Sequence, residues 1–156
     1  MKIARLTLSD RASAGIYDDL SGPEIERLVG EVGLPVTEWV RIVMADNREE
    51  IEETLREVSD QLGCDLVLTT GGTGPSARDV TPEATRAILD RELPGFGEIM
   101  RSASFSKVPT AILSRATAGT RGRTLIINLP GNPKAISECL PMLVPAILEA
   151  HRHLQD

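Results

Sequence analysis

Three glycines in four residues, Gly71-Gly72-Thr73-Gly74, follow Thr69-Thr70 and precede Pro75, and the chain then enters Arg78-Asp79-Val80-Thr81-Pro82-Glu83. Glycine at this density lets the backbone turn tightly and present N–H groups to a ligand, with the Thr70 and Thr73 hydroxyls beside them. Phosphate or a planar heterocycle suits such a loop. It is not a Walker A loop, because no Gly-Lys-Ser/Thr follows. Gly72-x-Gly74-x-x-Ala77 matches the dinucleotide fingerprint on paper, but the chain continues into Pro75 and more loop instead of a helix. The acid that should follow the next strand is also missing, since Asp90 is expected inside a helix.

Two carboxylates and a second turn accompany the loop. Asp46 and Asp79 each fall after a strand end and before a helix. For Asp46, helix capping and function are equally good readings. Asp79 is expected to be free of structural duty, because Thr81 is better placed to cap the helix beginning at Pro82. Two carboxylates beside a phosphate call for a divalent cation between them, and Mg²⁺ bound by one or two carboxylates and substrate phosphates is the common arrangement. Pro130-Gly131-Asn132-Pro133-Lys134 offers either a phosphate seat at a helix N-terminus or a simple strand-to-helix turn, with Asn132 as the cap. The two histidines, His151 and His153, lie in the tail, and Cys64 and Cys139 are far apart and follow helical apolar spacing. No Cys/His cluster has zinc spacing, the tail histidines read as a solvated helix end, a histidine-based triad is hard to build, and buried thiols are expected.

The elements that must position these residues alternate. Ile3–Leu8, Val36–Met44 and Asp65–Thr70 read as buried strands, each followed by a helix. The first of those helices is expected to be capped by Ser21, with Leu20 and Ile25 as a hydrophobic staple. The second has Ile51, Leu55, Val58 and Leu62 on one stripe, with an acidic run on the solvent side. Further helices are expected after Thr81, over Phe96–Phe105 and after Pro133, the last bent by Pro141 and Pro145. Val108–Leu113 and Thr124–Leu129 read as strands, with Ser114–Arg123 a loop or an extra short strand. This order predicts one α/β domain over 1–156, a three-layer α/β/α arrangement around a mainly parallel sheet. In such sheets ligands bind beyond the strand C-ends. Ser9-Asp10-Arg11-Ala12-Ser13, Ala45-Asp46-Asn47, Gly71 to Thr81 and Pro130 to Lys134 all fall there.

Composition narrows the function classes. The net charge of −6 argues against nucleic acid or an anionic membrane as partner. Residues 18–60 hold 13 acids and 4 bases, whereas 61–156 hold 9 and 10, so the half with the glycine loops can receive an anion. No apolar run reaches the roughly 20 residues of a membrane helix, and a cytoplasmic protein is expected.

Taken together, the Thr-Thr-Gly-Gly-Thr-Gly-Pro loop, Arg78 to Thr85, Pro94-Gly95-Phe96-Gly97-Glu98, Pro109 to Arg115, Leu129-Pro130-Gly131-Asn132-Pro133 and Ser9-Asp10-Arg11-Ala12-Ser13 resemble the molybdopterin adenylyltransferase (MogA/MoaB) family. The motifs occur in the same order over nearly the whole chain, without the C-terminal extension of some members. The resemblance implies a trimer that joins molybdopterin to ATP, giving adenylylated molybdopterin and pyrophosphate ahead of metal insertion. It implies functional aspartates at Asp46 and Asp79, which would hold Mg²⁺. Gly71, Gly72, Thr73 and Gly74 would hold the pterin side, and Ser9, Asp10, Thr70, Pro130, Gly131 and Asn132 would make further substrate contacts. An arginine such as Arg11, Arg78 or Arg115 would help cancel phosphate charge, and transient contact with the metal-insertion enzyme is expected. The alternatives are a non-catalytic pterin carrier of the same fold and a nucleotide pyrophosphohydrolase, which would need a water-activating base that the sequence does not supply near the loop.

Overall fold

The computed structural model describes residues 1–156. A six-stranded sheet runs in the order β2-β1-β3-β6-β5-β4, built from β1 (Lys2–Leu8), β2 (Glu38–Met44), β3 (Leu66–Thr70), β4 (Arg91–Glu92), β5 (Ala118–Arg121) and β6 (Thr124–Leu129). The first four in that order are mutually parallel, and β5 and β4 close one side as antiparallel strands. The helices are α1 (Asp10–Ser13), α2 (Ser21–Val32), α3 (Arg48–Arg56), α4 (Thr81–Ile88), α5 (Gly95–Phe105) and α6 (Pro133–Gln155).

Alternation along the strands creates two cores. Ile3, Leu66, Leu68, Leu125, Ile127 and Leu129 face α2, α5 and α6. Ala4, Leu6, Leu8, Val67 and Ile126 face α3 and α4 on the opposite side. The expected three layers are thus present. A fully buried Leu or Ile contributes about 1.5–3 kcal/mol through burial alone, so the two cores pin the sheet from both faces. No helix is long and apolar enough to cross a membrane. Cys64 and Cys139 are free and buried, as expected, although Cys64 lies in the connection before β3 and not on a helix, and burial pushes its thiol up to about 11.

Several local expectations give way. Val108–Leu113 is not a strand: Pro109–Leu113 forms a 3₁₀ turn on the surface, where Ile112 is 64% exposed. An apolar run opened by proline, which lacks an N–H for a ladder, has no place in this sheet. The open segment 114–123 instead supplies β5. Helix α4 ends at Ile88, so Asp90 lies in a loop, where its carboxylate accepts the Gly122 N–H. The α3 stripe passes at Glu57 into a π-helical turn, and Leu62 is exposed. Ser21 does not cap α2, and no staple forms, because Leu20 is exposed. The Gly22 N–H is taken by Asp19. The last helix is present as expected, with Pro141 and Pro145 inside α6.

Candidate active site

The strand register decides which loops meet. Leu8 lies opposite Met44, Thr7 opposite Thr70, and Thr70 opposite Leu129. Ser9, Ala45, Gly71 and Pro130 therefore leave the sheet side by side at one edge. Ser9 caps the single turn of α1 by accepting the Ala12 N–H at 3.2 Å. Asn47 caps α3 by accepting the Glu50 N–H, which releases Asp46 from the capping duty that the sequence left open. Asn132 caps α6 through the Lys134 N–H, as expected.

Gly71 and Gly72 have φ of +94° and +68°, in the left-handed region that side chains resist. Space excludes a side chain as well. A Cβ on Gly71 would strike the Leu8 carbonyl, and one on Gly72 would strike the Thr81 hydroxyl and come within 3.1 Å of Asp46 Oδ1. The loop is thus pressed between β1 and α4, with Asp46 against it. Thr70 Oγ1 donates to the Pro130 carbonyl at 2.7 Å, and Ser21 Oγ donates to the Gly131 carbonyl at 2.8 Å. The Thr70 hydroxyl ties the second turn to the glycine loop, and the Ser21 hydroxyl ties it to the start of α2, where Leu20 instead of Ser21 occupies the N-cap position.

Asp46 and Asp10 clasp each other: the Asp10 N–H donates to Asp46 Oδ2, and the Asp46 N–H donates to Asp10 Oδ1. Arg78 completes the pairing by forming an ion pair with Asp10. Asp46 Oδ1 is left buried without a hydrogen-bond partner. Burial, and then the nearby negative charge of Asp79, push the Asp46 carboxyl above its ordinary range. Asp79 does carry a structural duty, contrary to expectation: its Oδ2 accepts the Ser76 N–H at 3.1 Å in a tight turn. Arg11 donates to the Tyr17 hydroxyl and lies over its ring. Arg115 pairs with Glu83, whose carboxyl that hydrogen bond draws below its usual range.

Two cavities flank the Pro130–Gly131 turn and share Gly131. One, of about 510 Å³, is lined by Ser9, Tyr17, Ser21, Thr70 and Gly71, with Asp18 and Asp19. The other, of about 400 Å³, is lined by Thr73, Arg101, Ser104, Lys107, Asn132 and Lys134, among others. The predicted residues thus divide. Ser9, Thr70 and Gly71 open on the first cavity, and Thr73, Pro130 and Asn132 on the second. Asp10, Asp46, Gly72, Gly74 and Asp79 cluster at the loop and line neither. Sequence reasoning missed Ser21, Arg101, Ser104 and Lys107. The last three recur every third residue along α5 and just beyond it, a polar stripe on a helix otherwise read for its apolar face.

A family model described as "Probable molybdopterin binding domain" matches residues 4–149. The chain belongs to this family. It is 54% identical over 145 residues to a protein of Helicobacter pylori named molybdopterin adenylyltransferase, covering 93% of this chain and 82% of that one. A protein of the same name from Escherichia coli is 50% identical over 141 residues, covering 90% and 72%. The crystal structure of the molybdopterin biosynthesis enzyme MoaB from Thermus thermophilus superposes with a TM-score of 0.87 at 42% identity, covering 96% of each chain. A glycine loop beside paired aspartates is accordingly framed in a fold that solved members of the family share.

Proposed function

We propose that the chain is a molybdopterin adenylyltransferase of molybdenum cofactor biosynthesis, transferring the adenylyl group of ATP to the terminal phosphate of molybdopterin. An oxygen of that phosphate attacks the α-phosphorus of ATP, a P–O bond forms, and pyrophosphate leaves with the bonding electrons. The nucleophile is already ionised near neutral pH, so no histidine base is required. The protein's work is alignment and charge cancellation. Two cavities share Gly131, with Gly71 lining one and Thr73 the other, and in this reading the two substrates would occupy one each.

The observation that carries this reading is the buried, unpartnered Asp46 Oδ1 in the field of Asp79. A carboxylate oxygen without a donor beside a second carboxylate is an arrangement a cation relieves. Asp46 and Asp79 would hold Mg²⁺; the neighbouring Asp10 carboxylate is engaged by the Asp46 N–H and by Arg78, so the remaining coordination would fall to water and phosphate oxygens. Bound there, the ion would supply charge neutralisation for the phosphates. A homotrimer in the cytosol that passes its product to a metal-insertion enzyme belongs to the same reading. Exposed Val108, Ile112 and Leu113 support burial against another copy, and free buried cysteines fit a reducing compartment.

Mass spectrometry of anaerobically prepared molybdopterin after incubation with the protein and Mg-ATP tests the reading. An adenylyl mass gain with matching pyrophosphate is expected, lost in Asp79→Asn. Bound but unmodified pterin would turn the reading to a carrier.

A further inference from the structure

The carbonyls of the glycine loop are all engaged, and two residues engage them. Thr81 Oγ1 donates to the Gly71 carbonyl at 2.9 Å, and the Thr81 N–H donates to the Gly72 carbonyl at 3.1 Å. The Arg115 N–H donates to the Thr73 carbonyl at 2.8 Å, and Arg115 Nε donates to the Gly74 carbonyl at 2.9 Å. The guanidinium goes on to donate to the Asp79 carbonyl at 2.8 Å and to both oxygens of Glu83. Thr81 and Glu83 stand in the first turn of α4, and Arg115 comes from the approach to β5.

In a planar trans peptide, the carbonyl of one residue and the N–H of the next point in opposite directions. Fixing the Gly71, Gly72 and Thr73 carbonyls toward Thr81 and Arg115 therefore turns the N–H groups of Gly72, Thr73 and Gly74 the other way. The fourth carbonyl, of Gly74, precedes Pro75, which has no N–H to direct. Three consecutive N–H groups aimed to one side form an anion-binding concavity.

We propose that Thr81 and Arg115 are positioning residues for phosphate binding in this site, setting the direction of the loop N–H groups and the backbone of Asp79 without touching substrate. Arg115 is consequently not a charge-cancelling arginine of the reaction, because its side-chain donors are committed to Gly74, Asp79 and Glu83. The assignment deepens the adenylyltransferase reading and rests on it for the identity of the anion.

The test uses Thr81→Val, Thr81→Ser and Arg115→Lys in the full chain. Valine keeps the shape of threonine and removes the donor, serine restores it, and lysine keeps the charge of Arg115 while removing the fork. In ligand-free protein, the Gly72, Thr73 and Gly74 amide resonances should shift in Thr81→Val and Arg115→Lys, while β1 resonances stay. Affinity for Mg-ATP and for inorganic pyrophosphate should fall about tenfold or more in both, the loss of one or two net hydrogen bonds, and return in Thr81→Ser. Unmoved loop resonances, wild-type pyrophosphate affinity, or loss of native circular dichroism in both Thr81→Val and Arg115→Lys would each overturn the assignment. Wild-type protein that binds neither probe, with the amide shifts still present, would defeat the adenylyltransferase reading and leave the loop positioning in place.

Discussion

Asp10 and Asp46 each accept the other's backbone N–H, at 2.9 and 3.2 Å, although 36 residues separate them. The exchange joins the C-ends of β1 and β2 and uses one oxygen of each carboxylate. What remains of Asp46 is Oδ1, buried without a hydrogen-bond partner, and the charge of Asp79 adds to burial in raising the carboxyl's pKa.

That arrangement makes Asp46 a source of pH dependence. Its folded-state pKa is raised, so the stability it contributes is fully present below the unfolded carboxylate pKa and is lost as pH rises through the folded value. Glu83, drawn down by Arg115, acts oppositely, adding stability above the unfolded pKa that is lost as pH falls. Asp46→Asn in metal-free protein is expected to melt higher relative to wild type at neutral pH than at acid pH. Added Mg²⁺ should narrow the gap by stabilising wild type alone. Differential scanning calorimetry with and without the ion reads both effects.

Gly72→Ala and Gly74→Ala should separate strain from displacement. At Gly72 the φ of +68° and the contacts with Thr81 and Asp46 leave no accommodation, and a loss of about 1–3 kcal/mol or more is expected along with activity. At Gly74 the added Cβ meets only the Asp79 carboxylate, at 2.8 Å from Oδ2, and that side chain can swing away. Stability should change by less than about 1 kcal/mol, whereas adenylylation should fall. Urea denaturation beside turnover distinguishes the two.

Asn128 is wholly buried, donating to Thr69 and Thr85 and accepting the Thr117 N–H. It links β3, α4 and the start of β5 through β6. Asn128→Ala leaves several polar groups without partners in the core and should cost about 2–4 kcal/mol. Turnover per folded molecule should stay near wild type at low temperature.

Arg5 lies in the core-facing row of β1, only 8% exposed, and pairs with Asp19 and Glu26. Asp19 also accepts the Thr7 hydroxyl and the Gly22 N–H, so it fixes the wall of the larger cavity. Arg5→Ala leaves Asp19 without a cationic partner, while Glu26 keeps Arg41, and should cost about 1.5–3 kcal/mol by chemical denaturation. Arg5→Met should cost less, since the side chain fills the space.

The sequence makes the sheet legible wherever burial imposes a pattern: β1, β3 and β6 are mainly apolar because both faces are covered. It misleads at Val108–Leu113, where an equally apolar run lies on the surface. The four site loops are legible because glycine, proline and aspartate mark strand ends. What those polar residues bond to is not. Ser21 and Thr81 have the right type and place for caps, and Asp79 looks idle, but their partners are Gly131, Gly71 and Ser76. Local preference cannot distinguish a cap from a tether when the alternative acceptor arrives from another loop. Arg115 carries no local signal of its contacts with residues 73, 74 and 79.

The tether from Thr70 to Pro130 spans 60 positions, and that from Ser21 to Gly131 spans 110. Sites joined over such separations form late, since their loop-closure entropy must be met before the contacts exist. During synthesis the glycine loop therefore leaves the ribosome well before Pro130 and Gly131, whose carbonyls close the two tethers. A chain truncated before residue 130 would hold the residues of all six strands but would lack both tethers and the α6 side chains that cover one face of the sheet.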